Sequence, residues 1–136
     1  VTAQPSFLAA SLTVALGGGI GAWLRYATGV ALGRAIGPAA AMAFPWATLM
    51  VNVAGSLAMG LVAGWLARYG SHGETWRLFL GVGVLGGFTT FSAFSLELAL
   101  LIERGTPGTA FVYAAISVLA GLGGLFAGLA MMRTAL

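Results

Sequence analysis

From Gly81 to Phe94 the sequence reads GVGVLGGFTTFSAF, an apolar run whose centre is a poor helix. Gly86 and Gly87 each cost about 1 kcal/mol relative to alanine in a helix interior, and Thr89, Thr90 and Ser92 follow them. Two readings fit. In the first the helix breaks, the freed backbone groups are buried in protein or line a polar cavity, and their carbonyls can coordinate a hard cation such as Na⁺. In the second these residues form a Gly/Thr seam on which another helix packs. Phe91 and Phe94 come next at i, i+3 and share one face if helix resumes there. Aromatic edges are electropositive, so the pair can replace part of a small anion's hydration shell. Equally, the rings can pack against lipid or a neighbouring helix.

Other polar groups are few. Asn52 lies in PWATLMVNVAGS, where an unpartnered amide would be costly; it should face the helix bundle and donate a hydrogen bond, to a permeating ion or to a neighbouring helix. Tyr113 and Ser117 share a helix face at i, i+4, as a line of hydroxyls or as inter-helix contacts. Arg25 sits deeper than an interfacial arginine and can snorkel; turned inward it would concentrate anions at a vestibule. Glu97 follows Phe91 by two helical turns, and an acid at that depth is functional or paired.

Composition fixes the solvent. Of 136 residues 60% are hydrophobic and 7% charged, against about 25% charged in an ordinary globular domain. The basic residues are six scattered arginines, so the pI of 10.2 does not signal nucleic-acid binding, which needs a clustered basic face. Absence of cysteine removes disulfides, thiolate catalysis and thiolate-held metals. The one histidine, His72, lies in a polar loop and supports neither a metal site nor a Ser-His pair.

The elements that position these residues are four apolar stretches, about 7–32, 45–67, 76–102 and 108–132, each long enough to cross a bilayer, which takes about 20 residues. The first runs past the apolar core of a secretory signal and lacks a basic leader, so it reads as a true span. The linkers GRAIGPAAAMAF (punctuated by Pro38 and Pro45), YGSHGET and ERGTPG are too short for a domain and force antiparallel neighbours. One all-α, four-helix transmembrane unit over 1–136 results, with both termini on one side; Ser71 or Thr75 is placed to cap the third helix. Glycines four apart (Gly17/Gly21, Gly29/Gly33, Gly60/Gly64, Gly83/Gly87, Gly124/Gly128) give smooth grooves for close helix approach, which drives association in lipid. Arg68, Arg77 and Arg133 fall on one face, and Arg34 and Arg104, with Arg25 near them, on the other. So little bias leaves the chain free to insert both ways and pair about an in-plane two-fold axis; a single orientation set by other factors is the alternative.

GGFTTFSAF, the Asn52 segment and GGGIGAWLRY at Gly17 to Tyr26 together resemble the CrcB/Fluc family of bacterial fluoride channels, a likeness that covers all four spans in order. The resemblance implies a dual-topology antiparallel homodimer in the cell membrane, multi-pass, with two parallel pores. It implies passive export of F⁻ without enzymatic chemistry, relieving fluoride that enters as HF. It also implies a structural, untransported Na⁺ at the dimer centre, held by the backbone carbonyls of Gly86 and Thr89. By motif position Phe91, Phe94 and Asn52 become pore residues, Arg25 a vestibule cation, and Tyr113 and Ser117 a hydroxyl track; Thr90, Ser92 and Glu97 join as polar pore or structural residues. Two departures stand out: Ala93 replaces a threonine, and glycines, Gly121 and Gly123, stand where the track often continues. The alternative is a small dual-topology coupled exporter of the multidrug-resistance type, but such carriers resemble one another in a first-span glutamate, and this first span holds only Arg25.

Overall fold

The computed structural model describes residues 5–69 and 73–134. Among them four segments are long and apolar enough to cross a membrane, Phe7–Ala43, Trp46–Arg68, Gly73–Glu103 and Pro107–Thr134, and the chain is an all-helical, multi-pass membrane protein. Helix α1 is Phe7–Ala43, started by the Ser6 hydroxyl, which accepts from Ala9 N at 3.3 Å. Helix α2 is Trp46–Tyr69. The third span is composite: α3 (Gly73–Trp76), nine residues of wide π-helical turns (Arg77–Leu85), α4 (Gly86–Phe88) and α5 (Phe91–Glu103). Helix α6, Pro107–Thr134, opens on a proline, whose missing N–H costs nothing at a first helical position.

Two expectations need correction. The first helix does not end near residue 32 but continues to Ala43 through the expected linker. Its alanine-rich sequence favours helix, and Pro38 resumes the helix at a position that needs no N–H donor. The chain turns just before it, where Gly37 takes φ 80° and ψ 164°, a conformation open to glycine. Thr75 is not a cap, because the third span already begins at Gly73 and encloses it. Ser71 and His72 lie outside the described residues.

Four of the five glycine pairs meet two by two. Gly17 faces Gly83, and a Cβ on Gly17 would stand 2.6 Å from Phe79 O and 3.0 Å from Gly83 Cα; Gly21 abuts the Val84 carbonyl, and Gly87 that of Gly18. On the other side α2 lies along α6, with Gly60 against the Leu125 carbonyl and Gly128 against that of Leu57. At Gly29 and Gly33 a Cβ would meet nothing within 4 Å. The buried interior is small, chiefly Val51, Leu85, Phe94, Leu101, Ala110 and Tyr113, while Phe7, Leu119 and Phe126 are exposed on the protomer. Backbone contact through glycine does the work a large side-chain core does in water. Gly21→Ala is therefore expected to destabilise the protein by about 2 kcal/mol, in the range of core overpacking, whereas Gly29→Ala leaves the protomer's packing untouched. Thermal unfolding in detergent checks this; equal melting of the Gly21→Ala and wild-type proteins would show that the helices part at no cost.

Candidate functional site

The site is built around two residues that leave the helix. Thr89 has φ −77°, ψ 158° and Thr90 φ −151°, ψ 126°, so the chain is extended between α4 and α5. Three side chains hold it there. Asn52 Nδ2 donates to Thr90 O at 2.9 Å, and Asn52 Oδ1 accepts from Thr90 N at 2.8 Å, so one amide satisfies both backbone groups of Thr90. Thr90 Oγ1 accepts from Ala93 N at 3.2 Å and caps α5; hydroxyls are strongly preferred at this position because they satisfy an orphan N–H. Thr89 Oγ1 donates to Leu85 O at 2.8 Å. A Cβ built on Gly55, one turn after Asn52, would collide with the Thr89 methyl, so α2 can close on the extended pair only with glycine there.

This arrangement frees two carbonyls. In a continuous α-helix Gly86 O would accept from Thr90 N and Thr89 O from Ala93 N. Asn52 Oδ1 takes the first donor and Thr90 Oγ1 the second. Both residues border one cleft. Among the described residues no three His, Asp or Glu side chains group to hold a metal.

The cleft has a volume of about 480 Å³ and brings together Asn52, Gly86, Thr89, Thr90, Phe91, Phe94 and Ser117, with Gly55, Ser56 and Met59 from α2. The Phe91 and Phe94 rings are 5.7 Å apart between centroids; Phe91 is exposed and Phe94 buried. Ser117 Oγ is buried and has no hydrogen-bond partner among the described residues. Tyr113, fully buried, lies behind Phe94 at 5.2 Å between ring centroids. Its hydroxyl donates to Glu97 Oε2 at 2.7 Å, and Thr48 Oγ1 donates to Glu97 Oε1 at 2.7 Å. Glu97 is thus a paired acid, each oxygen taken by a hydroxyl. It also borders a second cavity of about 200 Å³ with Phe44, Pro45 and Arg104. Ser92 Oγ lies 3.4 Å from Thr90 Oγ1. Arg25 stands apart, half-buried on α1 one turn beyond Gly21 and not on the cleft.

Sequence reasoning passed over Thr48, Gly55 and Ser56. A signal was present: Thr48, Asn52 and Ser56 are four apart and make one polar stripe on α2, the counterpart of Tyr113, Ser117 and Gly121 on α6.

The sequence model of a family described as CrcB-like protein, Camphor Resistance (CrcB), matches residues 12–129. The chain is 61% identical over 126 residues, 93% of its length and 98% of the relative's, to a protein of Novosphingobium aromaticivorans named fluoride-specific ion channel FluC. A protein of Rhodospirillum centenum with the same name is 58% identical across 91% of this chain and 95% of its own length. One of Caulobacter vibrioides, again so named, is 52% identical across 90% and 94%. With a match that spans nearly all four helices, and identities of this size along their whole length, the chain belongs to the CrcB/Fluc family.

Proposed function

We propose that this chain is a fluoride channel of the cell membrane that lets F⁻ leave passively, working as an antiparallel, dual-topology homodimer. The observation that carries the reading is the donor inventory of the cleft. Asn52 spends one amide hydrogen on Thr90 O and keeps the second, since a carboxamide has two. Ser117 Oγ has its donor unspent, and the Phe91 and Phe94 edges add positive potential. A small, tightly hydrated anion must recover its lost hydration from such donors, because unsatisfied charge away from water is very costly. Larger anions fit poorly between rings fixed by a glycine-packed bundle, so size and field discriminate together. The names of the relatives support the same ion.

The dimer and the cation imply one another. The Gly86 and Thr89 carbonyls, deprived of their helical donors, suit Na⁺ in chemical type, but two oxygens fall short of the six or so that hard cations take. A second copy related by a two-fold axis would contribute the same pair, raising the set to four and leaving the rest to water or other oxygens. A sodium ion held by the Gly86 and Thr89 carbonyls would supply a fixed positive charge beside the extended segment. This chain's part is to hold the extended pair at Thr89 and Thr90 open as a functional break, through Asn52, Gly55 and the Thr90 cap.

Fluoride efflux from proteoliposomes tests the proposal. Vesicles made with sodium are expected to release fluoride rapidly and retain chloride, with no sodium current; replacing Na⁺ throughout by N-methyl-D-glucamine is expected to suppress the flux. No fluoride release from a folded dimer would overturn the channel reading, and release that requires a pH gradient would point to a coupled exporter.

A further inference from the structure

Helices α2 and α6 run side by side, and their two stripes meet rung by rung. At the first rung Thr48 and Tyr113 both donate to Glu97. At the second, Asn52 and Ser117 line the cleft. One turn further the α6 position is Gly121, which can offer no hydroxyl, and across from it stands Ser56. A Cβ built on Gly121 would lie 3.5 Å from Ser56 Oγ. The α6 hydroxyl line therefore stops at Ser117, and the next hydroxyl in its path comes from α2.

Ser56 is also chemically available. Of the polar side chains on the cleft, Thr89 donates to Leu85 O, Thr90 caps α5, and Asn52 is bound to Thr90. Ser56 Oγ makes no hydrogen bond among the described residues, and neither does the buried Ser117 Oγ. The buried Ser117 Oγ is a donor left unpaired, which is costly, and the Ser56 side chain lines the same cavity, so together they suit a guest that accepts hydrogen bonds.

We propose that Ser56 is a pore residue: its hydroxyl carries the conducted anion past Gly121, taking over from α6 the next donor position after Ser117. This rests on the channel reading above. Fluoride efflux from proteoliposomes is compared for the wild type, Ser56→Ala, and Ser56→Ala/Gly121→Ser, with size-exclusion profiles to verify the folded assembly. Ser56→Ala is expected to lower flux about tenfold, as for loss of one hydrogen bond to a charged group. The double variant returns the hydroxyl to the same gap from the opposite helix, where a Cβ meets only ordinary van der Waals contact, and is expected to recover most of the flux. A packing role for Ser56 would not produce that rescue. Wild-type vesicles that release no fluoride would overturn the channel reading and this inference with it. Normal flux through Ser56→Ala, with the wild type active, removes Ser56 alone. A loss in Ser56→Ala that Gly121→Ser fails to repair assigns Ser56 to helix packing.

Discussion

Asn52→Leu is expected to abolish fluoride flux and to lower the melting temperature more than any other single change in the cleft. The reason lies in two hydrogen bonds of one side chain, Nδ2 to Thr90 O at 2.9 Å and Oδ1 from Thr90 N at 2.8 Å. Leucine keeps about the same bulk but leaves both Thr90 backbone groups unpaired between apolar helices. Each such group costs about 1–3 kcal/mol, so the pair amounts to several kcal/mol, a large share of a typical folding free energy of about 5–15 kcal/mol. The backbone has one cheap escape: Thr90 can return its N–H to Gly86 O, as a continuous α-helix would. That repair withdraws a carbonyl from the proposed cation site and swings Phe91 and Phe94 away from their present positions. Asn52→Asp separates the two bonds, keeping an acceptor for Thr90 N and losing the donor to Thr90 O. It is expected to retain more stability than leucine and to remain inactive, because it adds a negative charge on the anion's path. Efflux assays and thermal unfolding on the same preparations check both variants. Wild-type flux and melting in Asn52→Leu would mean that the Thr90 cap alone holds the extended pair.

How much of this was legible in the sequence depends on the range of the interaction. Apolar length and the near-absence of charge identify four membrane-spanning helices without reference to any neighbour. Local chemistry was less decisive at helix ends. Gly37 and Pro38 suggest a stop, yet the helix turns on the glycine and resumes on the proline, because alanine-rich chain on either side still prefers helix. Glycine spacing announces close approach but not its partner. Gly17 and Gly83 meet, while a Cβ on Gly29 or Gly33 of the same helix would meet nothing within 4 Å among the described residues, a difference set by how far α1 runs alongside the third span. The partners of Glu97 show the same limit. Its depth implied pairing or function, but Thr48 and Tyr113 come from two other spans, and only the rotation of three helices about their axes brings them together. The stripe of Thr48, Asn52 and Ser56 needed no such knowledge. It was concealed because Thr48 and Ser56 are ordinary residues for a membrane helix, where hydroxyls commonly bond their own backbone.

The phenylalanine pair yields a prediction in which stability and conduction separate. Phe91 is 79% exposed in the protomer and Phe94 9%, and Phe94 alone stacks on Tyr113, at 5.2 Å. If the rings serve only as packing, Phe94→Ile should destabilise by about 1 kcal/mol, the worth of a lost aromatic pair. Phe91→Ile should then cost less, because its exposed ring loses only the pair with Phe94, and both variants should conduct. If the rings line the anion path, the two substitutions become alike in flux despite being unlike in stability. Isoleucine approximates the bulk of the ring yet has no electropositive edge, so the anion loses a partner at each site. An edge contact in a water-poor passage is worth about 1 kcal/mol or more, and 1.4 kcal/mol is a factor of about ten in rate. Each single variant is therefore expected to reduce fluoride efflux by about tenfold. The reduction in Phe91→Ile carries the more weight, because that ring contributes little to the packing of its own protomer and a fall in flux there cannot be laid to a collapsed core. Melting curves, size-exclusion profiles and efflux rates measured together make the comparison. Unchanged efflux in both folded variants would remove the rings from the pathway and leave conduction to the donors of Asn52, Ser117 and Ser56.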